Sequence, residues 1–584
     1  MKSRLLCLLL VAALFPASGF AKGTKIARDL KGQAAGQLVK VIIQYKQQPT
    51  DKHKDKIRGK GGAVDVDVPL VKGIAATLPA SALSALEADE DVVYVSPDRP
   101  VKAHLNNVAG AVLAQYAWNV GLDGSGIGVA VVDSGIHLLD DLKNSAGKSR
   151  IVYQKDLIGG GTDDGYGHGT HVAGIIGGNA KYSTCSNCDV AIRGVAPNVN
   201  FINLRALDKL GRGTDTSVIN AIQTAIQLKN LYNIRVLNLS LGRPVYESYT
   251  LDPLCQAVEQ AWKAGIVVVV AAGNEGRDDS AGADGYGTVT APGNDPYVLT
   301  VGAMNTKGTL DRADDVLTTY SGKGPSAIDA VVKPDLVAPG NRVVSLQQGY
   351  LKSTFPQNRP QKSYYLSTND TGASDKYFIL SGTSMATGVV SGAVALLLQK
   401  DPTLTPDQVK ARLMKTAYKV FPTYSTVVDG AQTFTLQYDV FTVGAGYLDL
   451  QAALSSTDRA SFPATSPTAA FDSTSGAVYF VRDDHALWGS TIMWAPDAVW
   501  GTRAFDPTMD GVSDNHALWG SDALTDSHAL WGSHALWGSH ALWGSGSLWD
   551  SHALWGSGSA TILPNGNVDA DAVNATSVLI NGEN

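Results

Sequence analysis

Five short aliphatic runs, at 126–132, 201–204, 236–239, 266–271 and 298–301, recur between residues 107 and 454, each bounded by Gly, Asn or Ser. They are apolar on both faces, and helical stretches such as 217–228 and 254–264 lie between them. Strands with two apolar faces must be covered on both, and helix-length spacers are what parallel crossovers need. The pattern predicts an α/β fold with a doubly wound parallel sheet between helices. Ligands in such sheets bind beyond the carboxyl ends of the strands. Asp133 ends the first run, Ser240 follows the third and Asn274 follows the fourth, so polar residues collect at that edge.

The remainder of the 584 residues does not fit this pattern. Lys2 and Arg4 precede an apolar run at 5–15, followed by Pro16 and small residues up to Ala21. This reads as an export signal cleaved after about Ala21, since the run is shorter than the ~20 residues that span a bilayer. From 22 to 106 a small α+β unit is expected, with strands at 40–45, 74–78 and 91–96, a helix at 82–88 and a polar, lysine-rich stretch before about 62. From 456 to 584 the composition shifts to Ser, Thr, Ala, Pro and Gly. His-Ala-Leu-Trp-Gly-Ser occurs there six times, starting at His485, His516, His528, His534, His540 and His552. Nine of the eleven tryptophans lie in this region, so any function of the tail runs through them.

A net charge of −7 is small for this length and implies no nucleic-acid partner. With Cys7 lost in the signal, Cys185, Cys188 and Cys255 remain. Cys185 and Cys188 lie three apart in a polar loop without a second ligand pair, which favours a local disulfide over zinc.

Three segments carry chemistry. Val131-Val132-Asp133-Ser134-Gly135 closes the first strand. Gly167-His168-Gly169-Thr170-His171 is the second, and Gly382-Thr383-Ser384-Met385-Ala386, heading an apolar helix, is the third. An Asp, a His and a Ser in glycine-flanked settings are the parts of a nucleophilic triad, and the order Asp…His…Ser is the one found in subtilisin. With Ala271-Ala272-Gly273-Asn274, these segments closely resemble the signatures of the subtilisin-like serine proteases, and the resemblance extends over most of 110–452.

The resemblance implies a secreted serine endopeptidase. Asp133, His168 and Ser384 would be catalytic, with Asn274 in the oxyanion hole. Ser240, Leu241 and Gly242, facing Ala271, Ala272 and Gly273, would line the primary specificity pocket. Gly211, Arg212 and Gly213 would pair with an extended peptide. These small, uncharged walls favour cleavage after apolar residues, and Glu275 at the rim would add tolerance for basic ones. His171 is expected to be structural, and His137 matches no catalytic role.

No cofactor is needed for the chemistry. Asp140 or Asp141 stands where relatives place a calcium carboxylate, so a structural calcium at Asp141 is one reading and a solvated acidic pair the other. The motif departs from the family in following Thr387 with Gly388 rather than Pro, and 351–377 is a polar insertion that would border the cleft. Residues 22–106 resemble the inhibitory propeptide of these proteases. The resulting organisation is signal 1–21, propeptide 22–106, catalytic domain 107–455 and repeat-bearing region 456–584.

Expected partners are polypeptide substrates and the chain's own propeptide, with the protein a monomer outside the cell or at its surface. The tail is read as a stalk, a metal site or a binder of carbohydrate or other surface polymer. A chain ending after about Asp458 is expected to keep peptide hydrolysis. The rival reading is a surface-binding or adhesive protein on an inactive protease scaffold.

Overall fold

A computed structural model describes residues 25–27, 30, 34, 36–97, 107–280, 283–368, 370–429, 432–461, 463–472, 477–481 and 583. The export signal, the junction at 98–106 and the hexapeptide repeats lie outside the described residues. The chain divides into two units, Met1–Ala103 and His104–Asn584.

In the first unit, β1 (Leu38–Tyr45), α1 (Asp51–Arg58), β2 (Ala63–Val68), β3 (Gly73–Pro79), α2 (Leu83–Glu87) and β4 (Val92–Pro97) follow one another. The strands form an antiparallel sheet of order β2-β3-β1-β4, the βαββαβ arrangement of ferredoxin-like units. Alternation in β1 turns Val39, Val41, Ile43 and Tyr45 inward, onto Ile57, Leu78 and Leu86. The lysine-rich stretch hides a helix, α1, which buries only Ile57 and so lacks the apolar stripe that betrays a helix in sequence. Its start is fixed locally, with Thr50 N–H donating to His53 Nδ1 at 3.0 Å.

The second unit opens with α3 (Asn107–Ala111) and α4 (Ala114–Asn119). Then come β5 (Gly128–Asp133), β6 (Ile151–Asp156), α5 (His168–Gly177), β7 (Asn200–Arg205), α6 (Asp215–Tyr232), β8 (Ile234–Leu239), α7 (Pro253–Lys263), β9 (Val267–Ala271) and β10 (Leu299–Asn305). Each of the five expected runs is a strand of one sheet, ordered β10-β9-β8-β5-β7-β6 and parallel throughout. At the β10 end, β11 (Val316–Leu317) pairs antiparallel and β12 (Leu336–Pro339) parallel. Chain order reverses at β5, between β7 and β8, which puts the crevice of the sheet beside Asp133.

Beyond the sheet lie β13 (Val343–Leu346), α8 (Gly349–Thr354), β14 (Tyr377–Leu380), α9 (Thr383–Lys400), α10 (Pro406–Thr416), a hairpin of β15 (Tyr424–Asp429) and β16 (Gln432–Gln437), α11 (Leu450–Ser455), β17 (Thr468–Asp472) and β18 (Ala477–Val481). Every residue of α9 from Thr383 to Leu398 is buried, as its uniform apolarity requires. At Gly392 a Cβ would come within 2.6 Å of Val195 Cβ, so only glycine allows this close approach.

Packing does not stop at 455, where composition changes. Ala460, Ala464 and Ala469 join the core, and Val332 N–H donates to the Pro467 carbonyl at 2.8 Å. Ser466 completes a buried ionic cluster. Lys410 Nζ lies 2.9 Å from Ser466 Oγ and 3.1 Å from Asp335 Oδ1, while Lys333 Nζ lies 2.8 Å from Asp335 Oδ2. A chain ending at Asp458 would strip Ser466 from this cluster and Ala460, Ala464 and Ala469 from the core.

The insertion 351–377 packs against the cysteine loop. Asp189 N–H donates to the Tyr365 carbonyl and Ser367 N–H to that of Asn187. Cys185 and Cys188 form the expected local disulfide, and Cys255 is a buried free thiol.

Candidate active site

Asp133 is the last residue of β5 and is 1% exposed. His168 opens α5 after Gly167, whose φ of 110° suits glycine. Its Nδ1 lies 2.9 Å from both Asp133 carboxylate oxygens. Since the carboxylate can only accept, Nδ1 is the protonated nitrogen and Nε2 is left to act as a base. Burial works against a charged imidazole, but the Asp133 carboxylate outweighs it, and the His168 pKa is raised.

A second carboxylate backs this pair. Asp164 accepts N–H bonds from Tyr166 at 3.1 Å, Gly167 at 2.6 Å and Thr170 at 2.8 Å, tying down the turn that presents His168. Ser134 Oγ lies 2.9 Å from Asp164 and 3.1 Å from Asp133, and it accepts from Gly169 N–H at 3.0 Å. Burial raises the Asp164 pKa despite these donors. Sequence reasoning missed Asp164 and Ser134; their signal was an acid four residues before His168 and a hydroxyl directly after Asp133.

Ser384 lies in the first turn of α9, where the helix dipole favours negative charge. Its Oγ donates to the Ser240 carbonyl at 3.1 Å, and Ser240 Oγ donates to the Ser384 carbonyl at 3.0 Å. Asn274 follows β9. Its Oδ1 accepts from Thr383 N–H at 2.9 Å, which turns the amide nitrogen the other way. Thr383 Oγ1 also accepts from Gly273 N–H at 3.2 Å and lies 3.1 Å from the Gly273 carbonyl. Thr383, another residue the sequence reading missed, locks the Asn274 loop to the serine turn.

The expected substrate-binding residues surround these groups at the carboxyl ends of the strands. Ser240, Leu241 and Gly242 follow β8, while Ala271 ends β9 and Ala272 and Gly273 continue it. Gly242 lies against Thr290, whose N–H donates to the Ala272 carbonyl at 3.0 Å, so the two segments are joined. Gly211, Arg212 and Gly213 sit in the loop between β7 and α6, with Gly211 against the Tyr166 ring. Glu275 folds back on itself, its Oε2 accepting Asn274 N–H at 2.7 Å. Tyr166 also stacks on Tyr350 at 6.5 Å and lies 6.4 Å from His168 by ring centroids, which brings α8, where the insertion begins, to the histidine turn.

His171 and His137 stand apart from the Asp133–His168 pair. His171 Nε2 lies 3.2 and 3.1 Å from the Val343 and Phe378 carbonyls, and burial pushes its pKa down to about 3. His137 bonds Asp163 at 2.7 Å.

Asp141 is 1% exposed and turned inward. Its oxygens accept from Tyr182 N–H at 2.8 Å and Tyr377 O–H at 3.2 Å, and burial pushes its pKa up to about 6. Asp140 is paired with Lys143 at 2.7 Å. Among the described residues there is no group of three or more His, Cys, Asp or Glu side chains placed to share a metal.

A parallel sheet thus carries a paired Asp and His beyond β5 and a serine opening a buried helix. A profile of the subtilase family, Peptidase S8, covers residues 124–447. The chain is 36% identical over 350 residues to serine protease AprX of Bacillus subtilis (strain 168), spanning 57% of this chain and 71% of the relative. It is 34% identical over 400 residues to subtilisin E of the same organism, spanning 67% and 88%. An alkaline protease of Shouchella clausii is 32% identical over 338 residues, spanning 57% and 71%. The protein belongs to the subtilase family and is a serine-type endopeptidase.

Proposed function

We propose that this protein is an exported, self-processing endopeptidase that works through Asp133, His168 and Ser384. The observation that carries the reading is the contact of His168 Nδ1 with both Asp133 oxygens at 2.9 Å, since it selects the tautomer a general base needs. In the reaction the Ser384 hydroxyl leaves the Ser240 carbonyl and gives its proton to His168 Nε2 as Oγ bonds to the substrate carbonyl carbon. The negative oxygen is held by the Asn274 amide and Ser384 N–H. The C–N bond then breaks, the amine takes the proton from His168, and water hydrolyses the acyl-enzyme by the same steps.

The extended substrate pairs with 211–213 and 240–242, and the residue before the cut enters between 240–242 and 271–273. These walls favour apolar side chains. The signal-like segment ending near Ala21 supports export, and among the described residues no helix is long and apolar enough to cross a membrane. Residues 22–106 are the propeptide, and its cleavage falls near 100–107.

Expression of the Ser384→Ala chain tests the whole reading. A precursor beginning near Lys22 should accumulate and take up no fluorophosphonate label, whereas the native chain should mature and be labelled. Normal maturation of the Ala variant, expressed alone, would refute self-processing. Labelling of that variant would refute Ser384 as the nucleophile.

A further inference from the structure

Glu583 is separated from the rest of the described chain by the repeat-bearing segment, yet it is 1% exposed and bonded into the catalytic unit. Its Oε1 accepts from Thr319 N–H at 2.9 Å and from Arg277 at 3.1 Å, with Thr319 Oγ1 in contact as well. Its backbone is read by one side chain. Glu583 N–H donates to Asn341 Oδ1 at 2.9 Å, and Asn341 Nδ2 donates to the Glu583 carbonyl at 2.8 Å. A side-chain amide that pairs with both backbone groups of one residue recognises extended chain, and the Arg–Thr pair selects an acid at that position. The pocket is braced from outside, because Arg277 also bonds Asp429 at 2.8 Å and lies over the Phe434 ring at 4.5 Å. Both contacts come from the β15–β16 hairpin.

The two segments that bind Glu583 also hold the proposed catalytic loops. Residues 319–322 run beside 273–276, with Gly276 N–H donating to the Tyr320 carbonyl and Gly322 N–H to the Gly273 carbonyl, each at 2.9 Å. Next to Asn341, the Gly340 carbonyl accepts from Gly382 N–H at 2.9 Å and from Tyr320 O–H at 3.1 Å. Gly382 is the cap of α9, two residues before Ser384.

We propose that Arg277, Thr319 and Asn341 form a docking site for an acidic extended segment, occupied by the chain's own Glu583, and that its occupancy steadies the Asn274 and Ser384 loops. The effect on turnover rests on the assignment of Asn274 and Ser384 given above; the docking itself does not.

Hydrogen exchange in the full chain tests the docking independently of catalysis. In a Ser384→Ala background, which prevents self-digestion, Glu583→Ala should speed amide exchange at 319–320 and 341–342. Deletion of 485–557, which keeps Glu583, should leave exchange there unchanged. In the active chain, Glu583→Gln should lower kcat roughly threefold to tenfold on a short peptide at unchanged KM, the scale of one ordinary net hydrogen bond. Asn341→Ala should do the same. Unchanged exchange in Glu583→Ala would overturn the docking site, and unchanged kcat in both variants would overturn the steadying role. Failure of the triad assignment would instead show as activity retained by Ser384→Ala.

Discussion

Thr383 N–H donates to Asn274 Oδ1 at 2.9 Å across 109 residues of sequence. One hydrogen bond thus joins the residue before the serine to the asparagine beyond β9, and it fixes which end of the amide faces away from the helix.

Asn274→Ala should therefore lower kcat much more than it changes KM. The expected loss is about 10²–10³, the magnitude known from a subtilisin's own oxyanion asparagine. Steady-state kinetics on a short chromogenic peptide checks it. An unchanged kcat with raised KM would remove Asn274 from the oxyanion hole.

The pH dependence follows from His168, which must be neutral to accept a proton. Its pKa in the folded protein is raised, because Asp133 outweighs burial, so the acid limb of kcat/KM should lie above the ordinary histidine value of about 6.5. Asp133→Asn should move that limb downward and cost about 10⁴ in kcat. The same raised pKa adds stability that is fully present below about pH 6.5 and is lost as pH rises through the folded value.

His171 has the opposite sign. It is held neutral down to about pH 3, whereas in the unfolded chain it gains a proton near 6.5. It should therefore cost stability as pH falls between these values, by up to about 1.4 kcal/mol per pH unit. Urea unfolding across that range should show a shallower slope in His171→Gln, and identical slopes would exclude His171 as the source.

Asp335 bridges two lysines that are both fully buried, and they hold its pKa down against burial. Asp335→Asn removes the carboxylate that both lysines touch, and Lys410, already pushed down to about 7 by burial, should lose its proton more readily. A loss of about 3–5 kcal/mol is expected by denaturant titration. Asp335→Asn with Lys410→Met should recover part of it, because one unpaired charge is removed.

The sequence alone determined the parallel sheet and the buried helix α9, and it named Asp133, His168, Asn274 and Ser384 as candidates for the site. Periodicity and glycine-flanked motifs are local properties, fixed within a few residues. Helix α1 escaped because its stability comes from a cap and one buried isoleucine rather than from an apolar stripe. Tertiary structure decided what each polar residue meets. It turned Asp141 inward onto Tyr182 and Tyr377, set Asp164 behind Asp133, and gathered Lys333, Asp335, Lys410 and Ser466 into one cluster. It also brought Glu583 to Arg277. A polar side chain is stabilised in the interior only by partners that the fold delivers from distant parts of the chain, and nothing in its neighbouring residues names them.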